Sequence, residues 1–193
     1  RGLADLESLV AIPGLVYAGN HGLEISGSGM DFVHPEAPAF VDSLVEVAGK
    51  LEQELAAVPR ILVDNKRLTL TVHFRSTPDS YSAQVDATVV STVKPYVDTG
   101  QMKITRGKKV VEVRPNIDWG KGKAIEQIHR NCGDNPLPVY FGDDETDEEG
   151  FVAVQSAGGI AVYIGGTRQN TVALHQLESP AEVGQALALL AQL

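Results

Sequence analysis

The run Leu137-Pro138-Val139-Tyr140-Phe141 is apolar, stops at Gly142, and is followed at once by Asp143, Asp144, Glu145, Asp147 and Glu148. A short apolar run closed by glycine reads as a buried strand over Leu137 to Phe141. In an α/β sheet, ligands bind outside the carboxyl ends of the strands. Three aspartates at such an end repel one another unless a cation or solvent compensates. An all-oxygen cluster suits a hard ion, Mg²⁺ above all, which sits between a few carboxylates and a substrate phosphate. The plainer alternative is a solvated loop or the acidic first turn of a helix, with Thr146 as its cap. An EF-hand loop counted from Asp143 would need glycine where Glu148 stands.

The surrounding pattern gives that strand its context. From Trp119 onward the chain alternates helix and strand. Ala124, Ile125 and Ile128 mark one helix, Glu149 to Ala157 a second, and Ile160 to Ile164 a buried strand. Ser179-Pro180-Ala181-Glu182 reads as a capping box that opens a closing helix, with Val183, Leu187 and Leu190 facing inward. This alternation is the signature of a doubly wound parallel sheet. Residues 15–115 read differently, as two helices and two hairpins. Val41, Leu44, Ala48, Leu51, Leu55 and Val58 give one amphipathic stripe. Thr77-Pro78 should start the other helix as N-cap and first helical residue, with Tyr81, Val85, Val89, Val93 and Tyr96 as its buried stripe. Leu3, Leu6, Leu9 and Val10 mark a helix already under way at the start, ended by Pro13-Gly14. The expected division is a core of 1–14 and 116–193 with an α+β lid, 15–115, inserted into it.

Several polar residues stand out. Leu68, Leu70, Val72 and Phe74 should take one face of a strand, and Thr69, Thr71, His73 and Arg75 the other. That polar face is expected to be solvent surface, with His73 and Arg75 a weak anion signal. Lys108, Glu112 and Arg114 share a face if the hairpin pairing extends back to Lys108. Asn20 and His21 sit between Gly19 and Gly22, a tight backbone path that presents both side chains or a simple turn with a capped histidine. Lys121, flanked by Gly120 and Gly122, opens a helix, where free N–H groups and the dipole favour an anion. It is not a P-loop, since the spaced upstream glycine and the Ser or Thr after the lysine are absent.

At 193 residues and 43% hydrophobic the chain can hold one domain or a core with a subdomain. Net charge is −9, which argues against nucleic acid as a partner. No apolar run reaches the roughly 20 residues needed to span a bilayer, so no membrane partner is expected. The single Cys132 excludes an internal disulfide framework and fits a reducing compartment, here the cytoplasm.

Taken together the motifs have a family resemblance. Gly142-Asp143-Asp144-Glu145-Thr146-Asp147-Glu148 resembles the GDDxTDE signature of trehalose-6-phosphate phosphatases, in the haloacid dehalogenase-like (HAD) superfamily. Ala18-Gly19-Asn20-His21-Gly22-Leu23-Glu24, Val72-His73-Phe74-Arg75, Glu112-Val113-Arg114-Pro115 and Lys121-Gly122-Lys123-Ala124 resemble further motifs in family order. The resemblance implies a Rossmann-like core, its parallel sheet doubly wound, with an inserted α+β cap. It implies Mg²⁺-dependent hydrolysis of trehalose 6-phosphate through a phospho-aspartate. By match, Lys121 would hold the phosphate, and Asp143 would ligate Mg²⁺. Asp144 and Asp147 would ligate it or orient its waters. Asn20, His21, Gly22, Glu24, Lys108, Glu112 and Arg114 would form the sugar site, with Arg75 and His73 beside them. A fused or associated trehalose-6-phosphate synthase is a further implied partner.

The family's DxDGT motif, which carries the nucleophile, occurs nowhere in the chain, and Arg1-Gly2-Leu3 resembles the stretch just after its second motif. The expectation is that these motifs lie upstream and that the chain alone does not turn over. Two other readings stay open: a different HAD sugar phosphatase, or a sugar-binding or regulatory domain without catalysis.

Overall fold

In the computed structural model, every residue except 135, 167–169 and 193 is described. The described chain divides into two compact units, Arg1–Asp118 and Trp119–Leu193.

In the first unit, residues spaced three and four apart form two helices, α2 (Val41–Glu54) and α3 (Ser82–Asp98); α1 (Leu3–Val10) precedes them. Period-two stretches form β4 (Leu62–Asn65), β5 (Leu70–His73), β6 (Met102–Gly107) and β7 (Val110–Pro115). They make an antiparallel sheet in the order β4-β5-β7-β6. One face is apolar. Leu70, Val72, Val111 and Val113 meet Leu44, Val47 and Leu51 of α2 and Val85, Val89 and Val93 of α3 in one core. Each such side chain, fully buried, contributes about 1.5–3 kcal/mol, so this core holds the unit together. Tyr81 and Tyr96 pack at its margin.

The opposite face was expected to meet solvent, and here the structure differs. Thr69 and Thr71 are 0% and 3% exposed. A three-stranded antiparallel sheet, β1 (Tyr17–Gly19), β2 (Glu24–Gly27) and β3 (Met30–Val33), carries the covering loop 20–22. The β2–β3 hairpin turns on Ser28 and Gly29, both at positive φ, as a two-residue loop requires. Helix α1 packs on this sheet: Leu3 N–H donates to the Glu24 carboxylate at 2.8 Å and Asn20 N–H to the Arg1 carbonyl at 2.7 Å. Residues 1–14 thus lie in the first unit, whereas the sequence pattern grouped them with 116–193.

In the second unit α4 (Lys121–Asn131), β8 (Val139–Gly142), α5 (Glu148–Ser156), β9 (Ile160–Ile164), β10 (His175–Leu177) and α6 (Pro180–Leu190) alternate. The strands are parallel, in the order β10-β9-β8. This is the α/β architecture the alternation predicts. Phe151, Ala161 and Ala173 form one core cluster, with Tyr140 and Tyr163 against them, and Ala124, Val154 and Val162 are buried as well. Among the described residues β8 pairs with β9 alone; Val139 to Phe141 are half-buried, and Leu137 lies outside the strand and is exposed.

Three local expectations are corrected. The Thr77 hydroxyl donates to the Pro59 carbonyl at 3.0 Å, so it caps nothing; a single turn at Asp79–Tyr81 leads into α3 instead. Ser179 makes no side-chain cap: the Glu182 N–H donates to the Ser179 backbone carbonyl at 3.1 Å, and the Glu182 carboxylate accepts from the Glu178 N–H at 2.8 Å. Helix α6 buries no residue, and Leu187 and Leu190 are exposed.

Candidate active site

The second unit brings Lys121, Asp143, Asp144 and Asp147 to the carboxyl end of β8. Asp144 caps the turn Glu145–Asp147: its carboxylate accepts from Thr146 N–H at 3.0 Å. Thr146 is therefore capped and is not the cap. Asp147 answers three residues on, its Oδ2 accepting the N–H groups of Asp143 and Asp144, both at 3.1 Å. Its other oxygen, Oδ1, accepts from Lys121 Nζ at 2.7 Å and from the Tyr140 hydroxyl at 2.5 Å. Four donors thus converge on one carboxylate that is 5% exposed. Burial alone would raise its pKa. The bonds from Lys121 and Tyr140, the lysine charge and the Asp144 amide outweigh that and hold it below the ordinary aspartate value.

Two glycines make this packing possible. A Cβ on Gly142 would lie 2.6 Å from the Asp147 carboxyl carbon, and one on Gly122 would lie 2.8 Å from the Glu149 carbonyl oxygen. Gly122 therefore lets α4 approach α5 and brings Lys121, the first residue of α4, onto Asp147. The Gly-flanked lysine is explained by close helix packing.

Asp143 and Asp144 are exposed. Among the described residues no three His, Cys, Asp or Glu side chains converge as a metal site. Mg²⁺ needs no such cage, since it keeps several waters and takes one or two carboxylates plus a phosphate. Asp143 and Asp144 fit that requirement. Asp147, with both oxygens occupied by donors, serves to hold the turn and the lysine in place.

The first unit gathers the other candidates on the polar face of its large sheet. Asp64, Thr71, Glu112 and Thr105 pair across four strands in one row. His21 Nε2 lies 2.8 Å from Glu112 Oε2, 91 residues apart in sequence. Asn20, His21 and Gly22 all have positive φ, 49°, 58° and 81°. This left-handed stretch turns Asn20 inward and His21 toward the sheet. Asn20 is 1% exposed. Its amide donates to Glu24 at 2.8 Å and to the Lys66 carbonyl at 3.0 Å, and accepts from Thr69 at 2.8 Å. Asn20 and buried Glu24 therefore anchor the loop, and His21 is the side chain the loop presents. Burial opposes the charge on Glu112, but the bond and charge of His21, with Lys66 and Arg114, draw its pKa below the usual glutamate value.

The remaining candidates are placed less centrally. Lys108 lies in the two-residue turn between Gly107 and Val110 and is exposed, so the pairing does not extend to it. Arg114 pairs with Lys103, one row from Glu112. Arg75 lies beyond the end of β5 and is exposed; His73 is its last residue, 3.8 Å from Asp64. Burial and Lys66 lower the His73 pKa.

Two residues escaped the sequence reading. The apolar run includes Tyr140, although a buried tyrosine must find a partner for its hydroxyl. Lys66 reads in the sequence as a turn residue. Its side chain is largely buried, and its ammonium donates to Thr71 at 2.6 Å. Among the described residues no helix is long and apolar enough to cross a membrane.

The trehalose-phosphatase family profile matches residues 1–180. The trehalose-phosphate phosphatase of Mycobacterium avium is 35% identical over 204 residues, covering 99% of this chain and 50% of that protein. The probable trehalose-phosphate phosphatase 4 of Oryza sativa is 33% identical over 199 residues, covering 97% of this chain and 52% of that protein. The chain thus spans about half the length of the curated relatives it matches. The C-terminal domain of C. albicans trehalose-6-phosphate phosphatase superposes with a TM-score of 0.76 at 20% identity, covering all of this chain and 76% of that one, which shows the shared α/β fold. With a match that runs through both units, the chain belongs to the trehalose-phosphatase family.

Proposed function

We propose that the protein hydrolyses trehalose 6-phosphate to trehalose and phosphate in trehalose biosynthesis. The observation that carries this is Lys121 fixed on Asp147 beside the exposed pair Asp143 and Asp144, in a chain of this family. Phosphoryl transfer asks for positioning and charge stabilisation above all. Lys121 binds the phosphate through its ammonium, which has three donors and gives one to Asp147. Asp143 and Asp144 hold Mg²⁺, and Asp147 keeps their backbone in place. The ion, when bound, neutralises charge on the phosphate oxygens. The nucleophilic aspartate of the family's mechanism is none of these residues.

The polar sheet within 15–115 acts as the sugar-recognising cap, and 116–193 supplies the catalytic core. His21, Glu112 and Arg114 offer donors and acceptors to sugar hydroxyls, with Lys108, Arg75 and His73 at the margin. A site lined this way rejects sugars that leave its polar groups unpaired. The exposed Cys132 and a sugar phosphate substrate fit a cytoplasmic location.

The test is phosphate release by the full-length protein across a panel of sugar phosphates, with and without Mg²⁺. Release from trehalose 6-phosphate alone, abolished by EDTA, is expected. Release from many sugars would discard the cap assignment, and no release from any would discard the phosphatase.

A further inference from the structure

We infer that Tyr140 is a positioning residue: its hydroxyl fixes the Asp147 carboxylate, and through it both Lys121 and the turn bearing Asp143 and Asp144. The inference rests on the phosphatase reading for its effect on turnover, but its geometry stands in this unit alone. The tyrosine hydroxyl and the lysine ammonium share one oxygen, Oδ1, while two backbone N–H groups share the other. A lysine is a poor anchor for a carboxylate, because four rotatable bonds let its ammonium move. Pulled by Lys121 alone, the carboxylate could turn about its Cβ–Cγ bond and leave the two amides.

The phenol is a better reference point. Its ring is set edge-on to Phe151, at 5.7 Å between centroids. A Cβ on Gly150 would lie 2.6 Å from the ring, so the tyrosine fills space that any larger residue at 150 would take. Burial and the neighbouring Asp147 push the phenol's pKa upward, which keeps the proton on the hydroxyl and the hydroxyl a donor at neutral pH. None of the motifs that mark this family in the sequence includes Tyr140.

The test is Tyr140→Phe in the full-length protein, which keeps the ring and removes the donor. In the metal-free protein, amide exchange at Asp143 and Asp144 should quicken at least about fivefold, with β9 and α5 unchanged. Loss of one hydrogen bond to a charged group should lower kcat about tenfold, with KM for trehalose 6-phosphate within about twofold. Gly150→Ala, which displaces the ring, should quicken exchange at the same two amides, with β9 unchanged. Unchanged exchange at the two amides, exchange quickened equally throughout the unit, or a wild-type kcat in Tyr140→Phe would each overturn the inference. If the wild-type protein releases no phosphate, the phosphatase reading falls, and the exchange measurement alone decides the role of Tyr140.

Discussion

The acidic turn of the second unit and the polar sheet face of the first both concentrate charge, but they are built differently. At the turn, Tyr140 to Asp147 lie within eight consecutive residues, and only Lys121 comes from elsewhere. On the sheet face, His21, Lys66, Thr71 and Glu112 come from a loop, a hairpin and two strands. The first arrangement is local and rigid, and it is held by backbone donors. The second is assembled by the fold and can be altered one residue at a time. The turn therefore suits chemistry, which tolerates little displacement, and the sheet face suits recognition.

This contrast can be broken by substitution. Asp143→Asn in the full-length protein should lower Mg²⁺-dependent kcat by about 1,000-fold or more, equivalent to about 4 kcal/mol, and leave the melting temperature close to wild type. Activity near wild type would remove the turn from the chemistry. Asp147→Ala leaves the Lys121 charge without its partner and two amides without an acceptor. It should cost about 3 kcal/mol of stability in denaturant unfolding, against almost nothing for Asp143→Ala. Equal costs would mean that Asp147 is not the residue that holds the turn.

Glu112→Gln should act on recognition, raising KM for trehalose 6-phosphate about tenfold with kcat little changed. A fall in kcat alone would place Glu112 with the chemistry and erase the division between the two regions.

The smallest effect concerns pH. Because the native pKa of Glu112 is lowered, its ionisation stabilises the fold above the ordinary glutamate pKa, about 4.3. That contribution is lost as pH falls through the lower native value. The stability gap between wild type and Glu112→Gln should therefore be full at pH 7 and close toward pH 3. A gap independent of pH would mean that the His21 contact does not depend on the carboxylate charge.

Legibility in the sequence followed the same line. The apolar strand, its glycine stop and the acids after it could be read directly, and so could the helical stripes of α2 and α3. Lys121 at a helix start was also visible, but Asp147 as its partner was not. Asp147 was read as a companion to the metal ligands, because spacing cannot show that four donors converge on it. Asn20 and His21 were read as equals. Three successive left-handed residues set them apart, one turned into the protein and the other onto the sheet. Leu187 and Leu190 show the converse, since an apolar stripe says that a face can be buried and not that something lies against it.

The sequence by itself determined α2 to α5, β5, β7, β8 and β9, the α/β alternation of 119–193, the acidic turn and the family, because periodicity, turn chemistry and short motifs act over a few residues. Only the tertiary structure decided which polar groups meet. The His21–Glu112 contact joins residues 91 apart, and the Lys121–Asp147 contact residues 26 apart. Such pairs exist because helix packing and strand register bring distant segments together. In a low-dielectric interior, a buried charge is stable only where the fold has already placed its partners.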